Sequence, residues 1–199
     1  MKRVALGFRA HSGWAVLVAV AGDGRAPEVI KRCRIELIDA GTPGAKQPYH
    51  AAAAMPFRDA EKFIASAIDR TRSLTRKALD AAIEDLLASG YQAAGCGILL
   101  ASGRPLPGLA ATLASHALIH TAEGELFRNA LVHASEGCDL PVTGVKEREM
   151  YDRAAEELRV SAGELTRRLG EMGRALGPPW RQDEKLATLV AWVALASRK

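Results

Sequence analysis

The sequence has little of what usually reveals a chemistry. Its three cysteines, Cys33, Cys96 and Cys138, are far apart, odd in number and without a CxxC pair; they read as reduced core residues of a cytoplasmic protein, not as a disulfide framework. No window approaches the roughly 20 apolar residues of a membrane span, so no membrane partner is expected. The N-terminal MKRVALGFRAHSG has only a brief apolar run before Arg9, the pattern of a strand and not of a signal peptide. The turn glycines of GFRAHSG and ASGRPLPG lack the spacing of a P-loop or a dinucleotide fingerprint. No HExxH motif, Ser-His-Asp order, internal repeat or low-complexity tract is present, and no cofactor is expected.

What is there is ordinary globular material. The 199 residues are 48% hydrophobic and 25% charged, enough to bury a proper core in one domain over 1–199. The formal charge of +4 lies in the first half: residues 1–90 hold 14 Lys and Arg against 10 Asp and Glu, and the rest balance. Part of the excess is the cluster Arg70, Arg72, Arg76 and Lys77, which has two readings: a surface that touches phosphates, or, more commonly on a mixed-charge amphipathic helix, a solvated face.

The hydrophobic pattern sets an order of elements. Arg3 to Phe8, Trp14 to Ala21 and Glu28 to Ile38 read as three strands joined by short turns, hence an antiparallel meander. Ala40 to Met55 reads as a connecting loop. A helical stripe from Pro56 towards Ser89 ends at Gly90. Cys96 to Ala101 is an unbroken apolar run, the mark of a strand buried on both faces, and Ser102 to Pro105 stop it. Leu106 to Ala117 is short and irregular, and Thr121 to Glu136 is a helix. Leu140 to Val145 is a brief strand. Helices follow over Lys146 to Leu158, Ser161 to Leu176 with a Ser161–Glu164 capping box, and Arg181 to Ser197. Strands four and five can join only in parallel through right-handed crossovers. The expectation is an α/β fold: a mixed five-stranded sheet, three antiparallel strands then two parallel, with helices on both faces.

That order resembles the RNase H-like superfamily, and within it the RuvC-type Holliday-junction resolvases. VALGFRAHSGWAVLVAV is similar to their first hairpin, CDLPVTGV to an xxLPV strand entry, and QDEKLATLVAWVAL to a final helix that starts at acidic residues. The resemblance implies an RNase H-like fold and, in the family, two divalent ions held by carboxylates from the first strand, the end of the fourth and the last helix. Here the first-strand position is Arg9, the fourth-strand position falls at Ala101 or Ser102, and Arg181 stands where another carboxylate belongs. Only Glu184 fits as a metal ligand, with Asp183 adjacent and differently directed. The resemblance therefore implies the fold with the family's carboxylates mostly absent.

The carboxyl edge of such a sheet is the default ligand location. It would gather Arg9, His11, Ser102, Arg104, Lys146 and Arg148 as an anion site, joined by the backbone N–H groups of a helix starting near Thr121. His116, His120 and Glu123 share a helical face if the helix extends back that far. They have three readings: a helix cap with Glu123 at the positive end, acid/base catalysis by His120 and Glu123, or a metal site using His116, His120 and Glu123. His133 reads as a core or boundary residue. Trp14, Trp180 and Trp192 read as core or rim fillers. The function expected is a catalytically degenerate RuvC-like pseudoenzyme that binds an anionic ligand, a phosphate-bearing small molecule or nucleic acid. The alternatives are an enzyme built on His120 and Glu123, hydrolytic or phosphoryl-handling, and an interaction subunit that forms a homodimer through the apolar helix Leu186 to Leu195.

Overall fold

A computed structural model of the protein describes residues 1–22, 26–101 and 105–197. Its centre is a five-stranded sheet in the order β3-β2-β1-β4-β5. β1 (Lys2–His11), β2 (Trp14–Ala21) and β3 (Glu28–Glu36) form the antiparallel meander, while β4 (Tyr91–Leu100) and β5 (Val142–Lys146) join in parallel. The expected α/β fold is thus the observed one. The inner strands β1 and β4 outrun their apolar segments, with polar residues at their ends, while β2 matches its segment and the edge strand β3 stops at Glu36. β1 continues through Arg9 to His11, where a turn had been expected.

Side-chain alternation along β1 assigns each face its helices. Val4, Leu6 and Phe8 point into a core with Leu79 and Leu86 of α2 (Phe57–Ala88) and Leu126 and Phe127 of α4 (His116–Gly137). Ala5 points the other way, where Val16, Val18 and Val20 meet α7 (Gln182–Ala196). On β3 a register shift opposite Ala19 and Val20 interrupts the in–out alternation of a strand, so Val29 packs on the α7 face while Ile30 and Cys33 pack on the other.

The α7 side depends on two glycines. Gly7 and Gly97 are paired neighbours on β1 and β4. A Cβ on Gly7 would lie 1.9 Å from the Ala187 carbonyl oxygen, and one on Gly97 would lie 2.2 Å from that of Val190. The helix backbone therefore rests directly on the sheet. α5 (Met150–Leu158) and α6 (Ala162–Leu176) pack on this side, and Met150, Ala154, Leu165 and Leu169 are buried in the same core. Leu186, Leu189, Trp192 and Val193 of α7 are all buried. The homodimer face expected over Leu186 to Leu195 is therefore corrected: those side chains are already covered within the chain. Arg32 of β3 anchors the preceding loop, donating to the carbonyls of Gly177, Pro178 and Pro179.

Other departures are local. The expected loop over Ala40 to Met55 contains α1 (Pro48–Ala52), started by a proline in its first turn. A further short helix, α3 (Leu109–Leu113), lies in the irregular segment before α4. α4 begins at His116, after Ser115, and not near Thr121. A 3-10 turn over Glu147–Glu149 separates β5 from α5. The Ser161 hydroxyl accepts the Glu164 N–H, but the Glu164 carboxylate turns to Arg167 and Arg168, so only half of the capping box forms. His133 is exposed, contrary to its core or boundary reading. Trp192 is in the core, and Trp180 covers Gly173 and donates to the Leu169 carbonyl. Among the described residues no helix is long and apolar enough to cross a membrane.

The contact at Gly7 generates a prediction. Gly7→Ala should lower the unfolding free energy in urea by about 1–3 kcal/mol or more, the range of overpacking in a full core. Gly108→Ala, whose Cβ would meet nothing within 4 Å, should leave it almost unchanged.

Candidate functional site

The close seating of α7 places the first cluster of functional groups. β1 advances about 3.3 Å per residue and α7 about 1.5 Å, so two strand residues match four helix residues. Gly7 lies under Ala187; two residues on is Arg9, and four residues back is Asp183. Their side chains meet in an ion pair. Arg9 also grips Glu147, with Nη2 2.9 Å from Oε1 and Nε 3.3 Å from Oε2. This two-pronged contact matches the guanidinium fork. His11, two residues further along the same face, has Nε2 3.0 Å from Asp183 Oδ2. Its ring stacks on Trp14 at 4.1 Å, and the Arg34 guanidinium lies 4.3 Å from the Trp14 ring.

Two carboxylates share one guanidinium at the carboxyl end of the central strand. The Arg9 side chain is 22% exposed and that of Asp183 25%, so this ion pair is partly withdrawn from solvent screening. Burial lowers the pKa of His11 below its ordinary 6.5, and the charge of Arg9 lowers it further; Glu147 opposes both, and Arg34 adds a smaller lowering. His11 is thereby favoured as a neutral ring.

Several expected roles change here. Glu184 does not face Arg9; its carboxylate accepts the Arg181 backbone N–H at 2.7 Å and closes the start of α7. Asp183, its neighbour, takes the position towards β1. Lys146 and Arg148 both pair with Glu149, at 3.4 and 3.3 Å. Arg9, Lys146 and Arg148, expected in a cationic anion site, are each paired with a carboxylate of the chain. Ser102 and Arg104 lie outside the described residues. The family's pair of divalent ions does not fit this donor set, because a guanidinium stands where a first-strand carboxylate would bind and already holds the two nearby carboxylates.

The second cluster lies on the α4 face of the sheet. Glu123 is buried, and its Oε1 accepts both the His50 backbone N–H at 3.2 Å and His50 Nδ1 at 2.9 Å. Glu123 therefore orients His50 and not His120, which corrects the expected acid/base pair. His120 instead has Nε2 3.0 Å from His116 Nε2. Because α4 starts at His116, neither His120 nor Thr121 caps it; the Thr121 hydroxyl donates to the Ala117 carbonyl within the helix. The helix-end anion site expected near Thr121 is accordingly absent. Each of His50, His116 and His120 offers a ring nitrogen, and these lie within 4.8 Å of one another. The expected metal set of His116, His120 and Glu123 is thus rearranged, with His50 in place of Glu123.

Sequence reasoning missed His50, Glu147, Glu149 and Asp183 as site residues. The sole signal for Asp183 was its place in the first turn of the last helix. His50 carried no signal, since its segment reads as a loop.

This arrangement defines an RNase H-like fold of the RuvC type. The solved structures that match it include two of RuvC that align across nearly the whole chain. The Thermus thermophilus RuvC structure aligns with a TM-score of 0.52 and 11% identity, over 96% of this chain and 92% of that one. T. thermophilus RuvC in complex with a Holliday junction substrate aligns with a TM-score of 0.50 and 10% identity, over 96% and 91%. No protein-family model and no curated protein matches the sequence.

The lowered His11 pKa has a signed consequence. The unfolded chain takes up the His11 proton at higher pH than the folded one, so this stability is present above pH 6.5 and is lost as pH falls through the folded value. Urea denaturation at stepped pH should show stability falling below pH 6.5, with a shallower fall in His11→Gln.

Proposed function

We propose that the protein is a RuvC-like nucleic-acid-binding domain that does not cut its ligand by two-metal chemistry. The observation that carries this reading is Arg9, whose guanidinium bridges Glu147 and Asp183 at the end of the central strand. Two-metal hydrolysis needs carboxylates free to coordinate two cations about 3.5–4 Å apart. Here a fixed organic cation neutralises them, which leaves a folded edge without that chemistry. It is a pseudoenzyme in this sense.

A nucleic acid is favoured over a small phosphate ester by the fold, since a protein of the same architecture carries a Holliday junction. It is favoured also by the placing of the basic excess. Arg70, Arg72 and Lys77 are exposed on α2. Arg72 and Arg76 line a groove with Ser73, Asp69 and His133, between α2 and α4. Arg76 is fixed there by Asp80 and the Gly137 carbonyl. Such a surface tracks phosphates through charge and without base contacts.

Fluorescence anisotropy with a four-way DNA junction and a linear duplex tests the proposal. Binding is expected at 50 mM salt and should weaken more than tenfold by 200 mM as counterions compete for the phosphates. Arg72→Glu combined with Lys77→Glu should cost at least a further several-fold. Neither DNA should be cleaved with magnesium or manganese. Metal-dependent cleavage, or no binding to either DNA at low salt, would overturn the reading.

A further inference from the structure

We propose that His50, His116 and His120 form a binding site for a zinc ion, with Glu123 as the buried carboxylate that orients it. The site is separate from the Arg9 cluster and does not depend on the chain binding nucleic acid.

The case begins with convergence. The sequence has five histidines, and three of them, from two helices, bring ring nitrogens to within 4.8 Å of one another. Their ring centroids are 5.3, 4.7 and 4.5 Å apart, and the planes are inclined at 80°, 64° and 82°. All three pairs meet edge to face and none is stacked. The His116 and His120 Nε2 atoms are 3.0 Å apart. Two imidazole nitrogens on a tetrahedral zinc, each at about 2.0–2.1 Å, are about 3.3 Å apart. An adjustment of a few tenths of an ångström in two exposed side chains would admit the ion.

The local fold holds the set in place from two directions. His116 and His120 occupy the first two turns of α4 at a spacing of four, which puts them on one helical face. His50 is presented by α1, whose Pro48 and Ala52 are buried. Glu123 ties the two helices together through both the backbone N–H and Nδ1 of His50.

Glu123 is the observation that points from a histidine cluster to a metal. It is 3% exposed, and a carboxylate is rarely buried to that degree without a partner. Its bond to Nδ1 fixes the His50 tautomer, leaving Nε2 as the unprotonated nitrogen. That is the carboxylate–histidine arrangement by which metal-binding imidazoles are oriented and made more basic. Three imidazoles with no thiolate or carboxylate ligand favour zinc over magnesium or calcium, which select oxygen. Because His116 and His120 are exposed, a fourth position would open to solvent, the form of a site that keeps a bound water.

Calorimetric titration of the full chain with zinc chloride tests the proposal, with cobalt(II) as a spectroscopic probe. One zinc should bind per chain at micromolar or tighter affinity, and cobalt should give the visible absorption of a tetrahedral nitrogen-rich site. His116→Ala and His120→Ala should each weaken zinc by more than tenfold with an unchanged circular dichroism spectrum. Glu123→Gln should weaken it 10–100-fold, and His133→Ala should not matter. Should His120→Ala disturb folding, His120→Gln supplies the same comparison. Absence of zinc binding, or binding unchanged in the His116 and His120 variants, would overturn the proposal. Unchanged affinity in Glu123→Gln would remove Glu123 from it.

Discussion

The structure depends on how closely the last helix lies against the sheet. Without a side chain at Gly7 and Gly97, the backbone of α7 rests on β1 and β4, and the contact fixes the helix in register as well as in distance. With Ala187 seated over Gly7, Asp183 has one place to go, beside Arg9. A helix held a side chain further away could slide or rotate, and the polar groups at its start would then meet nothing in particular. Packing in the middle of the sheet thus determines electrostatics at its edge, as expected where interiors are close-packed and transmit displacement.

That edge carries two carboxylates and a guanidinium at the end of the central strand. Asp183 and Glu147 brought together alone would repel, and like charges at short range resist ionising together. Arg9 resolves the conflict with a guanidinium, which supplies several donors in a planar fork. It does electrostatically what a bound cation would do, but it is part of the chain and offers no open coordination position. His11, stacked on Trp14 and kept below its ordinary pKa, completes the cluster without adding a second charge.

The fold was legible because it rests on signals that survive in one sequence. The Trp14–Ala21 run, the Phe57–Ala88 stripe and the apolar content of α7 each record burial, and burial is what hydrophobic pattern encodes. The site was legible only in part. Arg9, His11, His116, His120 and Glu123 could be singled out as residue types, but their partners could not. Whether Asp183 or Glu184 turns towards β1 depends on which is taken by the helix start, a choice about one turn of helix. His50 stands 73 positions from Glu123 in a segment whose Gly, Pro and Ala content reads as loop, so only the tertiary fold brings it to the carboxylate. A cationic edge was inferred from Lys146 and Arg148, but charge type does not reveal pairing, and Glu149 takes both.

In the function proposed, the Arg9 guanidinium occupies the carboxylates that divalent ions would need at the carboxyl edge. Electron paramagnetic resonance titration with manganese tests it directly, comparing the protein with Arg9→Asp. The protein should leave manganese free at the edge, and Arg9→Asp, which joins a third carboxylate to Asp183 and Glu147, should acquire a bound ion. Stoichiometric manganese binding by the unmodified protein, lost when Asp183 is changed to Asn, would contradict the account.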